Sequence, residues 1–179
     1  VGGDAIMFNE QPEFGSEMLG MLAAVVILMI AFGSVVAMGL PIASALFGLF
    51  SGFASIALLA NFLGFPEFSG QFAAMIGIGV GIDYSLLVVT RFREGLHAGR
   101  PVEDSVVMAV TTAGKSVIFA GVVVAIAFLG LFVMGLPFIA MLGTSGAIVV
   151  LLAVVVALTI TPALLSLVGH RIDSWKVPF

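Results

Sequence analysis

The chain has 179 residues, of which 61% are hydrophobic and only 9% charged, with a net charge of −4 and a mean hydropathy of +1.30. A soluble domain covers its surface with about 25% charged residues, so this composition excludes a water-soluble globule and makes lipid the solvent. Cysteine is absent, which excludes disulfides and thiolate metal sites.

Open strands cannot satisfy their backbone in hydrocarbon, and the period-two alternation of a barrel is missing. The fold class is therefore an all-α integral membrane protein. Residues 1–17, "VGGDAIMFNEQPEFGSE", show neither an initiator Met nor a basic segment ahead of an apolar core. They are expected to be an extracytoplasmic tail that joins a span, in a chain cut from something larger.

Residues 18–38 form the first apolar block, long enough for the ~30 Å hydrocarbon core at about 1.5 Å per residue. "GLP" at 39–41 reads as a turn whose Pro starts the next helix, giving a second span at 42–63. A loop, "NFLGFPEFSGQ", precedes a third span at 72–90. Residues 116–168 exceed the needs of one span, and a second "GLP" at 135–137 divides them into spans at 116–134 and 138–168. The expectation is a bundle of five transmembrane helices, the fifth kinked or frayed near Pro162.

The linker 91–115 is the one strongly polar connection. Pro101 suits a first helical turn, Glu103 and Asp104 suit its positive dipole end, and Val102, Val106 and Val110 recur every four residues. This pattern predicts a short amphipathic cytoplasmic helix; the alternative is that it extends the fourth span. All six basic residues lie in the linker region, at Arg91, Arg93, Arg100 and Lys115, or after the fifth span, at Arg171 and Lys176. The N-terminal tail and the loop at Glu67 carry only acids. Basic segments mark the cytoplasmic side, so the N-terminus is expected outside and the tail 169–179 inside, with Trp175 as an interfacial anchor.

Asp83 is the one carboxylate well inside a span. Helical rise places it roughly 12 Å from Arg91 and roughly 18 Å from Gln71, near mid-membrane. A charged Asp there costs about 2.5–3.5 kcal/mol on insertion scales, which makes it a candidate proton-carrying group rather than packing glue. Tyr84, the chain's sole tyrosine, adjoins it at a depth where its hydroxyl needs a partner. Gly77, Gly79 and Gly81 surround the pair, and small residues let helices approach closely in lipid. Lys115 is expected to snorkel to the headgroups, and His97 and His170 to be solvated.

No nucleotide-binding loop, H-E-x-x-H or G-x-S-x-G occurs, so the chain shows no means of using ATP and no hydrolase constellation. An intramembrane aspartyl protease needs two carboxylates sharing a proton, and no second buried acid is present. What remains is a proton-driven secondary transporter or a non-transporting module that senses lipid or assembles a complex. No enzyme activity, cofactor, metal or nucleic-acid partner is implied.

"GIGVGIDYSLLVVTRFREGLHAG", followed by "AVTTAGKSVIFAGVVVAIAFLGL" and "LTITPALLSL", resembles the MMPL family of the RND superfamily of exporters over nearly the whole chain. The G-x-D-Y ahead of R-F-R-E is the most specific part. The resemblance implies spans two to six of an N-terminal-half bundle in a bacterial inner membrane, with residues 1–17 ending a porter domain. It implies proton-motive-force-driven export of lipids or other hydrophobic molecules. It also implies that Asp83 and Tyr84 form one half of a proton relay, facing a matching Asp-Tyr pair in a second half that this chain lacks.

Overall fold

The computed structural model of the protein describes residues 14–174; the expectations for the tail before residue 14, for Trp175 and for Lys176 lie outside them. Five α-helices follow one another: α1 (Phe14–Phe32), α2 (Val35–Leu59), α3 (Ser69–His97), α4 (Val102–Leu129) and α5 (Pro137–Val168). Short 3-10 turns, Gly130–Met134 and Gly169–Asp173, extend α4 and α5. The all-helical bundle expected from composition is what forms. Helices α2 to α5 are each long and apolar enough to cross a membrane, whereas the apolar part of α1, Leu22–Phe32, is shorter.

The first helix break is not at "GLP". Gly33 takes a left-handed φ of 60° and ends α1. Ser34 is extended (φ −142°, ψ 130°), and its side chain accepts a 3.5 Å hydrogen bond from the Ala37 N–H, so it caps α2. Pro41 consequently lies inside α2, where it removes only its own bond to the carbonyl one turn back. The boundary expected at 38–42 thus moves to residues 33–34. The second "GLP" does divide helices, because there Gly135 is left-handed (φ 69°) and Pro137 opens α5. A glycine at positive φ decides the break, not the proline.

The separate amphipathic helix is also corrected. Only residues 98–101 connect α3 to α4, with Gly99 at φ 77°. From Val102 the helix runs unbroken to Leu129, with Glu103 and Asp104 in its first turn. No proline or left-handed residue interrupts it, so the polar linker is an extension of two spans. Val102 and Val106 pack against the bundle core.

In cross-section α3 and α5 form the short diagonal of a rhombus: each touches the other and both α2 and α4, which occupy the far corners. α1 lies outside, against α2. Close approach relies on small residues. A methyl on Gly81 would meet the Ala45 Cα at 3.0 Å, one on Gly77 would meet Val149 at 2.7 Å, and one on Gly143 would collide with the Phe128 carbonyl. The buried core between the four helices includes Val88, Phe92, Val117, Val150, Ala157 and Leu165.

Candidate functional site

Because α3 is surrounded on three sides, one stripe of it stays open: Gln71, Met75, Gly79, Asp83, Leu87 and Arg91, each four residues from the next. Asp83 sits mid-stripe. Among the described residues it has no ion-pair partner, and Lys115, exposed on α4, makes none with it. Tyr84, one residue on, turns inward and is only 6% exposed. Its ring edge lies beside Gly121 of α4, at a spot where a methyl group would be 3.6 Å from the Tyr84 Cε2 and would collide with Val154 of α5.

The three glycines divide in the same way. Gly77 meets α5 and α2, and Gly81 meets α2, whereas a methyl on Gly79 would find nothing within 4 Å. Gly79 therefore leaves space on the open stripe one turn before the carboxylate.

Behind Asp83 is a group that sequence reasoning missed. Ser44 of α2, Ser85 of α3 and Thr161 of α5 are each at most 1% exposed and meet at one point. Thr161 donates to Ser44 at 3.0 Å, and its oxygen is 3.3 Å from that of Ser85. These residues are 117 and 76 positions apart, and their one sequence signal is the placement of Ser85 beside the Asp-Tyr pair.

A second missed cluster lies at the arginine-bearing end. Asp173 accepts from Arg93 Nη2 at 2.7 Å and Nε at 3.0 Å, and is 2.8 Å from His97 Nε2. Arg93 also donates to the Phe32 carbonyl at 3.2 Å and stacks over that ring, 5.2 Å from its centre. Ser34 donates to the Ile172 carbonyl at 2.7 Å. The ends of α1, α3 and α5 are thereby joined. His97, expected to be merely solvated, is exposed but bound to this acid. α5 is about 48 Å long at 32 residues, longer than the ~30 Å hydrocarbon core, and Asp173 lies in the turn that follows its last residue. Partial burial there raises the Asp173 pKa, but hydrogen bonds and charge from His97 and Arg93 outweigh it and hold the carboxyl below its ordinary 3.8.

The MMPL family model matches residues 1–178. The chain belongs to the MMPL family. Among curated proteins it is 40% identical over 156 residues to membrane protein YdfJ of Bacillus subtilis, covering 87% of this chain and 22% of that protein. It is 30% identical over 169 residues to the mycolic acid-containing lipids exporter MmpL11 of Mycolicibacterium smegmatis, covering 94% and 18%. It is 31% identical over 169 residues to the trehalose monomycolate exporter MmpL3 of Mycobacterium tuberculosis, covering 91% and 18%. This MMPL chain therefore spans less than a quarter of the length of these relatives. Family and apolar helices together make it a multi-pass membrane protein.

Proposed function

We propose that this chain supplies one half of the membrane bundle of a proton-motive-force-driven exporter of lipids or other hydrophobic molecules, with no enzyme activity of its own. The observation that carries the reading is the placement of Asp83, a lone carboxylate mid-way along the open stripe of α3. Left against lipid, its charge would cost about 2.5–3.5 kcal/mol. A partner surface relieves that cost, and a second half bearing a matching Asp-Tyr pair is the partner implied by the family. Proton entry and release at Asp83 then bias how α3 packs on that partner. One charge crossing 100 mV supplies about 2.3 kcal/mol, enough to drive such a two-state change. Tyr84, held inside the bundle, orients the acid from behind.

The export of lipid by two relatives, stated in their names, supports the substrate class. In this reading all five helices cross the membrane, the N-terminus is extracytoplasmic, and the arginine-bearing end is cytoplasmic. A cysteine at Arg100 that a membrane-impermeant reagent labels from outside intact cells would contradict that orientation.

The test of function uses the full-length protein in its own cells. Asp83→Asn abolishes appearance of lipid at the outer surface while insertion and abundance stay unchanged. Normal export by this variant would instead favour a lipid-sensing or assembly module.

A further inference from the structure

Inside a bilayer a helical Ser or Thr ordinarily turns its hydroxyl back onto a carbonyl of its own helix. Ser55, Thr90, Thr144 and Thr159 do so at 2.6–2.9 Å. Ser44 and Ser85 make no such bond, and Thr161 has only a 3.5 Å contact with the Val156 carbonyl. The three reach across helices to one another instead. Each hydroxyl has one proton to donate. Thr161 can therefore donate to Ser44 while accepting from Ser85, or donate to Ser85 while accepting from Ser44, at oxygen separations of 3.0 and 3.3 Å.

The position of this cluster matters more than its existence. Pro41 precedes Ser44 by three residues, and Pro162 directly follows Thr161; both prolines lie inside their helices. Each removes one backbone hydrogen bond, so α2 and α5 are softened where the hydroxyls join them. Ser85 follows Asp83 by two residues, about 3 Å of rise and 200° of turn, so it holds α3 from the side opposite the open stripe. α2 and α5 contain no titratable side chain; α4 contains Lys115 at its exposed face and, in its first turn, Glu103 and Asp104; α3 contains Asp83 and Tyr84 and, near its end, Arg91, Arg93, Glu94 and His97.

We propose that Ser44, Ser85 and Thr161 are positioning residues: a three-helix hydroxyl clamp that sets the rotation of α3 and so the presentation of Asp83. The proposal rests on the proton-relay reading above. If protonation of Asp83 and packing of α3 are linked, removing a bond that favours one packing shifts the apparent proton affinity by the same factor. An interhelical hydrogen bond in a membrane is worth about threefold on average, which corresponds to about half a pH unit.

The test measures proton influx into proteoliposomes of phosphatidylethanolamine and phosphatidylglycerol that hold the full-length protein and a trapped pH-sensitive dye, over a series of external pH values. Thr161→Val and Ser85→Ala move the pH of half-maximal influx by about half a unit, while Thr161→Ser superimposes on the wild type. Should Thr161→Val fail to insert, Ser85→Ala decides alone. Unshifted midpoints overturn the clamp even where the maximal rate falls, because lost packing alone lowers amount or rate without moving a midpoint. Asp83→Asn separates the two claims: its normal influx overturns the relay reading and the clamp with it. An inactive Asp83→Asn beside an unshifted Ser85→Ala overturns the clamp only.

Discussion

Asp83 and Tyr84 are adjacent in sequence yet leave α3 on different sides, the carboxylate exposed on the open stripe and the ring 6% exposed between α4 and α5. About 100° of helical rotation thus separates a group on the open stripe from a group that faces its own bundle. Tyr84→Phe keeps the packing against Gly121 and Val154, so its melting temperature in detergent matches the wild type while proton influx falls without vanishing. Tyr84→Ala empties the site and destabilises by about 3–5 kcal/mol. Equal melting temperatures for the Ala and Phe variants would show that the ring is not a packing element.

Gly79 and Gly81 differ in what surrounds them, and alanine at each separates packing within this bundle from contact with a partner. Gly81→Ala forces a methyl to 3.0 Å from the Ala45 Cα, and overpacking of this kind costs about 1–3 kcal/mol. The expected outcome is lower abundance of the full-length protein. Gly79→Ala meets nothing within 4 Å, so abundance holds while proton influx drops, because the methyl occupies space that a partner helix needs beside Asp83. Unchanged influx would mean that no helix seats on the stripe at that level.

The position of the first helix break gives another contrast. Gly33 has φ 60°, and an alanine there costs about 1–2 kcal/mol of left-handed strain. Gly39 lies within α2 with open space around it, where alanine gains up to about 1 kcal/mol of helix propensity. Melting temperatures of the two variants should therefore move in opposite directions. A larger loss at Gly39 would return the break to "GLP".

Asp173 carries a pH dependence whose sign follows from its lowered pKa. The folded protein holds this carboxyl below its ordinary 3.8, so between the two values the unfolded chain binds more protons than the folded one. The stabilisation is complete above 3.8 and disappears as pH falls through the lower folded value. Measured by melting temperature, the deficit of Asp173→Asn relative to the wild type is still present at about pH 5 and closes only below 3.8. A deficit that closed near neutral pH would place the stabilising titration on another group.

Fold class was legible because composition alone decides the solvent, and Asp83 was legible because a mid-span charge is costly enough to stand out. The division at Gly135 was readable from "GLP", but the same tripeptide misled at 39–41. What makes both breaks is a left-handed glycine, and the letter that sets Gly33 apart from Gly39 is the capping Ser34 that follows it, not a proline. The polar linker misled for a related reason: charged residues in 91–115 say where water begins, not where a helix stops. The hydroxyl clamp and the Arg93–Asp173–His97 cluster join residues 76 to 117 positions apart. Such pairings exist only once the rhombus of helices is assembled.

The central claim is that Asp83 carries the coupling proton, and proton influx into proteoliposomes measured alongside lipid export by the same full-length protein tests it most directly. At matched abundance, Asp83→Asn should lose both activities together, while Asp83→Glu keeps part of each. An Asp83→Asn protein that moves protons and lipid at wild-type rates would contradict the account.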